Sequence, residues 1–125
     1  MTRTSRRPFD KVVQARVGRE RAYAEALLEE AVEAMLGGEL DVARSLIRDV
    51  IKGSIGYSEL SRLTGTSEKS LIRMFGPTGN PTAANMVSVS DQWQQYSGVS
   101  LQVKSVRVPR RRAVKARHER ARRAA

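Results

Sequence analysis

The sequence predicts a mainly α-helical fold: a helical domain carrying two short helices around a tight turn, then a short C-terminal β-strand and disordered basic tails. Three observations lead there. Apolar residues recur at three- and four-residue spacing over most of residues 9 to 97, and glycines punctuate those runs. The charge is segregated as well: residues 1–7 carry +3, residues 107–125 carry +8, and the segment between them is near neutral at −1. The expected division is therefore a basic arm at 1–8, a helical domain at 9–106 and a basic tail at 107–125.

A first helix is expected from about Phe9 to Val17, stopped near Gly18. From Arg19 to Leu36 the residues Tyr23, Leu27, Leu28, Ala31, Val32, Met35 and Leu36 form one apolar face, with Glu25, Glu29, Glu30 and Glu33 between them. This is an amphipathic helix, and Gly37 and Gly38 end it. A third runs from Leu40 to Lys52, with Leu40, Ala43, Leu46, Ile47, Val50 and Ile51 as its stripe and Arg44, Arg48 and Asp49 expected outside. Gly53 and Gly56 mark the next break. Such stripes belong to a core, so these helices are assigned to the scaffold and to dimerisation.

Residues 57 to 75 read as two short helices joined at Gly65, where a side chain would hinder the turn. Leu60 and Leu63 face inward, small Ser61 admits a close helix crossing, and Leu71, Met74 and Phe75 close the core. A dense turn cluster follows from Gly76 to Pro81, with Asn80 placed as a cap and Pro81 as first residue of a helix to about Ser97. After Gly98, apolar and polar residues alternate, which predicts a strand with Val99, Leu101 and Val103 on one face, ended by Pro109. A lone strand leaves backbone groups unpaired and would pair with a second copy or a partner protein.

Composition narrows the chemistry. The 125 residues hold 23 Lys and Arg against 13 Asp and Glu, a net charge of +10, which points to a polyanionic partner. Cysteine is absent, which removes thiolate nucleophiles and suits a reducing, cytoplasmic setting. No run of about 18 apolar residues could span a membrane, and no apolar stretch follows the N-terminal arginines as in an export signal. The one histidine, His118, stands in the basic tail away from any carboxylate cluster, so neither an enzyme, a metal, a cofactor nor a small-molecule substrate is expected. Too poor in large apolar residues to bury itself, the tail is expected to be disordered until phosphates screen it.

The spacing of residues 57–75 is that of a helix-turn-helix, whose second helix enters the major groove of DNA. Its outward positions fall to Ser67, Glu68, Lys69 and Arg73, with Ile72 at the edge, and these are the candidate base readers. Lys and Arg donate to guanine, Glu accepts from cytosine, and an aliphatic side chain meets the thymine methyl. Candidate phosphate contacts are the hydroxyls of Tyr57, Ser58, Thr66 and Ser70, and from the tail Arg110, Arg111, Arg112, Lys115 and Arg117.

Three stretches carry a family resemblance: Ala26 to Glu33, Ala43 to Asp49, and above all Lys69-Ser-Leu-Ile-Arg-Met-Phe-Gly-Pro-Thr-Gly-Asn-Pro-Thr82. Over about residues 9 to 103 the chain resembles small helix-turn-helix antidote-like regulators, related to the antitoxins of bacterial addiction modules and to phage-repressor-type domains. That resemblance implies a helical DNA-binding domain, frequently dimeric, that represses its own operon and in some members neutralises a ribosome-dependent RNA-cleaving toxin. It places recognition on Ser67, Glu68, Lys69 and Arg73. The chain departs from that pattern in interleaving Val87, Val89, Trp93 and Tyr96 with serines and glutamines, and in its basic extension past Arg107.

The resulting expectation is a homodimeric, sequence-specific regulator of transcription that binds double-stranded DNA on the bacterial nucleoid and acts as a repressor. Two alternatives stay beside it: an antitoxin that holds a toxin protein and autoregulates, and an architectural protein whose tails bind nucleic acid without specificity.

Overall fold

The computed structural model describes residues 8–109, as six α-helices followed by an irregular strap. They are α1 (Pro8–Arg19), α2 (Arg21–Leu36), α3 (Leu40–Gly53), α4 (Tyr57–Thr64), α5 (Glu68–Met74) and α6 (Ala83–Ser97). The basic arm before residue 8 and the tail from residue 110 lie outside the described residues. Among the described residues no helix is long and apolar enough to cross a membrane.

The hub is α3, which packs against α1, α2, α4 and α6. Its Ala43, Ile47, Val50 and Ile51 are buried, and they join Leu27, Leu28 and Ala31 of α2, Leu60 of α4, and Met86, Val89 and Trp93 of α6 in one apolar cluster. Each Leu, Ile or Phe so buried contributes about 1.5–3 kcal/mol. With so many buried side chains per short helix, none of the helices has to be stable alone.

A helix with four neighbours has little outer face, and this corrects the expected amphipathic division of α3. Asp49, expected outside, is buried, where it accepts a 2.9 Å hydrogen bond from Gln14 Nε2 on α1 and lies 3.8 Å from Arg48 Nε. Arg44 and Arg48 are half-buried rather than solvated, whereas Leu40, expected in the stripe, is exposed at the helix start. Leu36 likewise leaves the core at the end of α2. Beyond it Gly38 N–H donates to Met35 C=O and Glu39 N–H to Ala34 C=O, closing the last turn.

Other boundaries shift by a few residues. Gly18 does not stop α1; the chain breaks at Glu20, which takes an extended backbone and pairs at 3.1 Å with Arg16 one turn back. The helix after the turn cluster starts two residues later than expected: Thr82 caps it by accepting from Asn85 N–H at 3.1 Å, while Asn80 and Pro81 precede it. A Thr hydroxyl at the cap satisfies a backbone donor that would otherwise be orphaned, and this outweighs the preference of Pro for a first helical turn.

No strand occurs among the described residues, so the expected strand at 99–103 is not formed within the chain. Side chains of the preceding helix take over part of the role of a ladder. Leu101 N–H donates to Gln94 Oε1 at 2.8 Å and Val99 N–H to Ser97 Oγ at 3.3 Å. Val99 and Leu101 pack against the core, but Val103 is 74 % exposed, so the three do not share a buried face.

Replacing Asp49 with Ala removes the carboxylate that accepts from the Gln14 amide in a partly buried setting. Urea unfolding of Asp49→Ala should show a loss of about 1–3 kcal/mol; an unchanged midpoint would remove this bond from the supports of the fold.

Candidate nucleic-acid interface

The two helices at 57–75 form as the spacing predicts, α4 and α5 packing against each other across the turn at Gly65. Gly65 has φ of 78° and ψ of 0°, the left-handed region that strains any L side chain. Its N–H closes α4 on Ser61 C=O at 2.9 Å. The turn is braced by Thr64, whose hydroxyl donates to Leu60 C=O at 2.9 Å and accepts from Thr66 N–H at 3.3 Å. At the start of α5, Ser67 Oγ accepts from Ser70 N–H at 3.1 Å and lies 2.8 Å from Ser70 Oγ. One hydroxyl proton lies between those two oxygens, donated by Ser67 to Ser70.

The rotation of α5 about its axis is set at its far end. Leu71 is 2 % exposed and Phe75, one turn later, is fully buried. The chain then folds back over the helix terminus: Gly79 N–H donates to Gly76 C=O at 3.0 Å, and a Cβ at residue 79 would stand 2.0 Å from Met74 C=O and 2.4 Å from Arg73 C=O. Only glycine allows that approach. Arg44 of α3 completes the arrangement, donating from its guanidinium to Gly79 C=O at 2.9 Å and pairing with Asp41 at 3.1 Å. The carbonyl end of α5 is thereby tied to the hub helix.

With Leu71 and Phe75 turned inward, helical phase sends Glu68, Lys69, Ile72 and Arg73 outward together, and all four are exposed. Ile72 keeps 49 % of its surface accessible, unusual for an isoleucine in a core-forming helix. Lys69 and Arg73 are one turn apart, as are Glu68 and Ile72, so one short face offers cationic donors, an anionic acceptor and an apolar contact. Ser67, the fifth expected base reader, is exposed but holds its hydroxyl in the cap. That engagement makes Ser67 a support of the helix start more than an outward group.

The expected phosphate contacts separate. Ser58 is exposed on the first turn of α4 and Tyr57 is half-buried against the core. Thr66 and Ser70 are half-buried at the turn and the first turn of α5. The unsatisfied amides and dipole of a helix start favour anions beside Tyr57 and Ser58. Arg110, Arg111, Arg112, Lys115 and Arg117 lie outside the described residues.

Two arginines take partners that the sequence reading did not assign. Arg62 of α4 grips Glu59 through two hydrogen bonds, one of them 3.0 Å from Nε to Oε1. The guanidinium holds the Glu59 carboxyl below the usual carboxylate range, and the carboxylate raises Arg62 in turn. Arg62 is exposed and Glu59 partly so, and the pair orients a cation beside the turn while adding little to stability. The three-residue spacing of Glu59 and Arg62 carried that signal. Arg44, by contrast, finds Gly79 only through the fold. Among the described residues no group of three or more His, Asp or Glu is placed to hold a metal ion.

Comparison with family models, with curated proteins and with solved structures finds no match to this chain.

The clearance at residue 79 makes a test. Gly79→Ala drives a methyl into two backbone carbonyls and should cost about 1–3 kcal/mol, with amide protection from Leu71 to Phe75 lost first in hydrogen exchange. Protection equal to that of the parent chain would mean that the loop is not packed on α5.

Proposed function

We propose that the chain is a sequence-specific, non-enzymatic DNA-binding protein that regulates transcription as a repressor, with α5 as the helix that reads the major groove. The observation carrying this reading is the joint exposure of Glu68, Lys69, Ile72 and Arg73 on a helix whose opposite side is anchored by Leu71 and Phe75. A helix with its side chains is about 10–12 Å across, which fits a major groove about 12 Å wide. The four side chains cover the three modes by which bases are told apart there: donation to guanine, acceptance from cytosine and contact with the thymine methyl.

Affinity and specificity come from different parts of the chain in this reading. The folded segment is near neutral, so long-range attraction falls to the +8 of residues 107–125, and phosphate neutralisation by the tail is indifferent to sequence. A single short helix reads few bases, and a second copy doubles them. The strap offers a means of pairing, since Val103, Val106 and Val108 are 74 %, 77 % and 53 % exposed on a stretch without ladder partners. The same apolar strap favours the second reading, in which it takes a protein partner such as a toxin, as the resemblance to antidote-like regulators implies. Both readings place the protein on cytoplasmic DNA.

Selection of bound duplexes from a random pool tests the proposal: two half-sites about 10 base pairs apart are expected, and enrichment of no sequence would sink it. At the selected site Arg73→Ala should weaken binding by about 1–3 kcal/mol while leaving random DNA unaffected. Equal loss on both would make Arg73 a phosphate contact. Replacing Arg110, Arg111, Arg112, Lys115 and Arg117 with Gln should flatten the slope of log affinity against log salt by up to about 4 units, with the ratio of site to random DNA preserved. An unaltered slope would take the tail off the DNA.

A further inference from the structure

A groove of about 580 Å³ runs between α2, α6 and the strap at 101–106. One wall is apolar, formed by Val32 and Leu36 of α2 with Val103 and Val106 of the strap. Along its α2 rim stand Glu29, Glu30 and Glu33, all exposed, none of them in an ion pair with another described residue. The strap's one cation in the lining, Lys104, leaves this rim in net negative charge. Like charges at three- and four-residue spacing on one helix face repel each other, so the ridge is stabilised by whatever cation covers it.

The chain supplies one. Val106 lines the groove, and the next residue, Arg107, begins a stretch of nineteen residues to Ala125 that holds nine basic side chains against Glu119. The tail is thus tethered at the lip of an acidic groove, where its local concentration is of millimolar order without any help from affinity. Reach is ample: ten extended residues cover about 33 Å, whereas Glu29 to Leu36 spans about 10 Å of helix. The arginine side chains are suited to such a surface twice over, because their methylene stems cover apolar wall while the guanidinium groups meet carboxylates.

We propose that the basic tail, residues 107–125, docks on the α2 ridge of its own chain in the groove between α2, α6 and the strap. There Glu29, Glu30 and Glu33 occupy the cations that would otherwise neutralise phosphates. Docked, the tail is withheld from polyanions; a duplex must compete it off the ridge, which lowers non-specific affinity and leaves the recognition face of α5 untouched. In its consequence for DNA this rests on the proposed function, but the docking itself does not.

Zero-length carbodiimide coupling of the full chain, without DNA, reads the docking directly, because Lys115 is the sole lysine of the tail. Peptide mapping should find Lys115 joined to Glu29, Glu30 or Glu33 at low salt, with the yield falling as salt rises. A 1:1 mixture of isotopically light and heavy chains should give no mixed products. Coupling of Lys115 to other carboxylates, none at all, or mixed-isotope products from a second copy would each overturn the proposal. The second measurement is a cycle on random duplex DNA: changing Glu29, Glu30 and Glu33 together to Gln should raise affinity about three- to tenfold, and that gain should vanish in a chain whose tail cations are also Gln. A gain of the same size in both backgrounds would mean simple repulsion between the ridge and DNA, and would overturn the docking. Failure of the DNA reading itself leaves the coupling result intact, so the two are told apart.

Discussion

The burial of Phe75 at the end of a seven-residue helix is the constraint from which the rest of the candidate interface follows. A helix that short is not stable in water, since nucleation costs more than one or two turns return. Its existence depends on apolar side chains seated in the core, and Phe75 and Leu71 are the ones seated there. Because they are a full turn apart, they also fix which way every other residue of α5 points. Glu68, Lys69, Ile72 and Arg73 are exposed as a direct consequence, with no further freedom. The loop behind Phe75 tightens the same constraint, laying Gly79 on the final carbonyls of α5 while Arg44 holds the loop to α3.

That arrangement transmits to the hub. α3 meets four other helices, and the ties between them are polar as well as apolar: Gln14 to Asp49 from α1, Arg44 to the loop after α5, and Trp93 Nε1 to Ser54 Oγ at 3.1 Å from α6. Each is a hydrogen bond in a partly buried setting, where an orphaned partner is costly. A scaffold joined this way holds α4 and α5 in a fixed relation to α6 and the strap. The proposed reading of bases would use such rigidity, because hydrogen bonds to base edges tolerate little positional error.

Charge is handled separately from shape. The folded segment is near neutral and still uneven, with the Glu29, Glu30 and Glu33 ridge on α2 and the Lys69 and Arg73 pair on α5, while +8 of the net +10 belongs to residues 107–125. Among the described residues Glu29, Glu30, Glu33, Lys69 and Arg73 are all exposed, so their charges can be altered without opening the apolar cluster. Under the proposed docking this uneven charge also sets ridge and tail in electrostatic competition with polyanions, which screening by salt weakens.

Sequence alone located the helices, because local spacing and turn chemistry mark where they run: α2, the turn at Gly65 and the inward set Leu60, Leu71 and Phe75 lie where the spacing placed them, although packing is what makes the short ones stable. The outward set of α5 was equally legible, being the complement of that inward set. What only the tertiary structure decided is each feature that depends on a neighbour distant in the chain. Asp49 reads as a surface residue in a one-faced helix and becomes interior because α3 is covered on several sides, with Gln14 thirty-five positions away supplying its donor. The segment after Gly98 alternates like a strand, yet a ladder requires a second strand, and within the described chain only Ser97 and Gln94 are at hand to satisfy Val99 and Leu101. Arg44 reads as a solvated charge until the loop at Gly79 folds back beneath it. Periodicity reports how a segment is divided between water and core; which partner a polar group finds in the core is settled only when the helices pack.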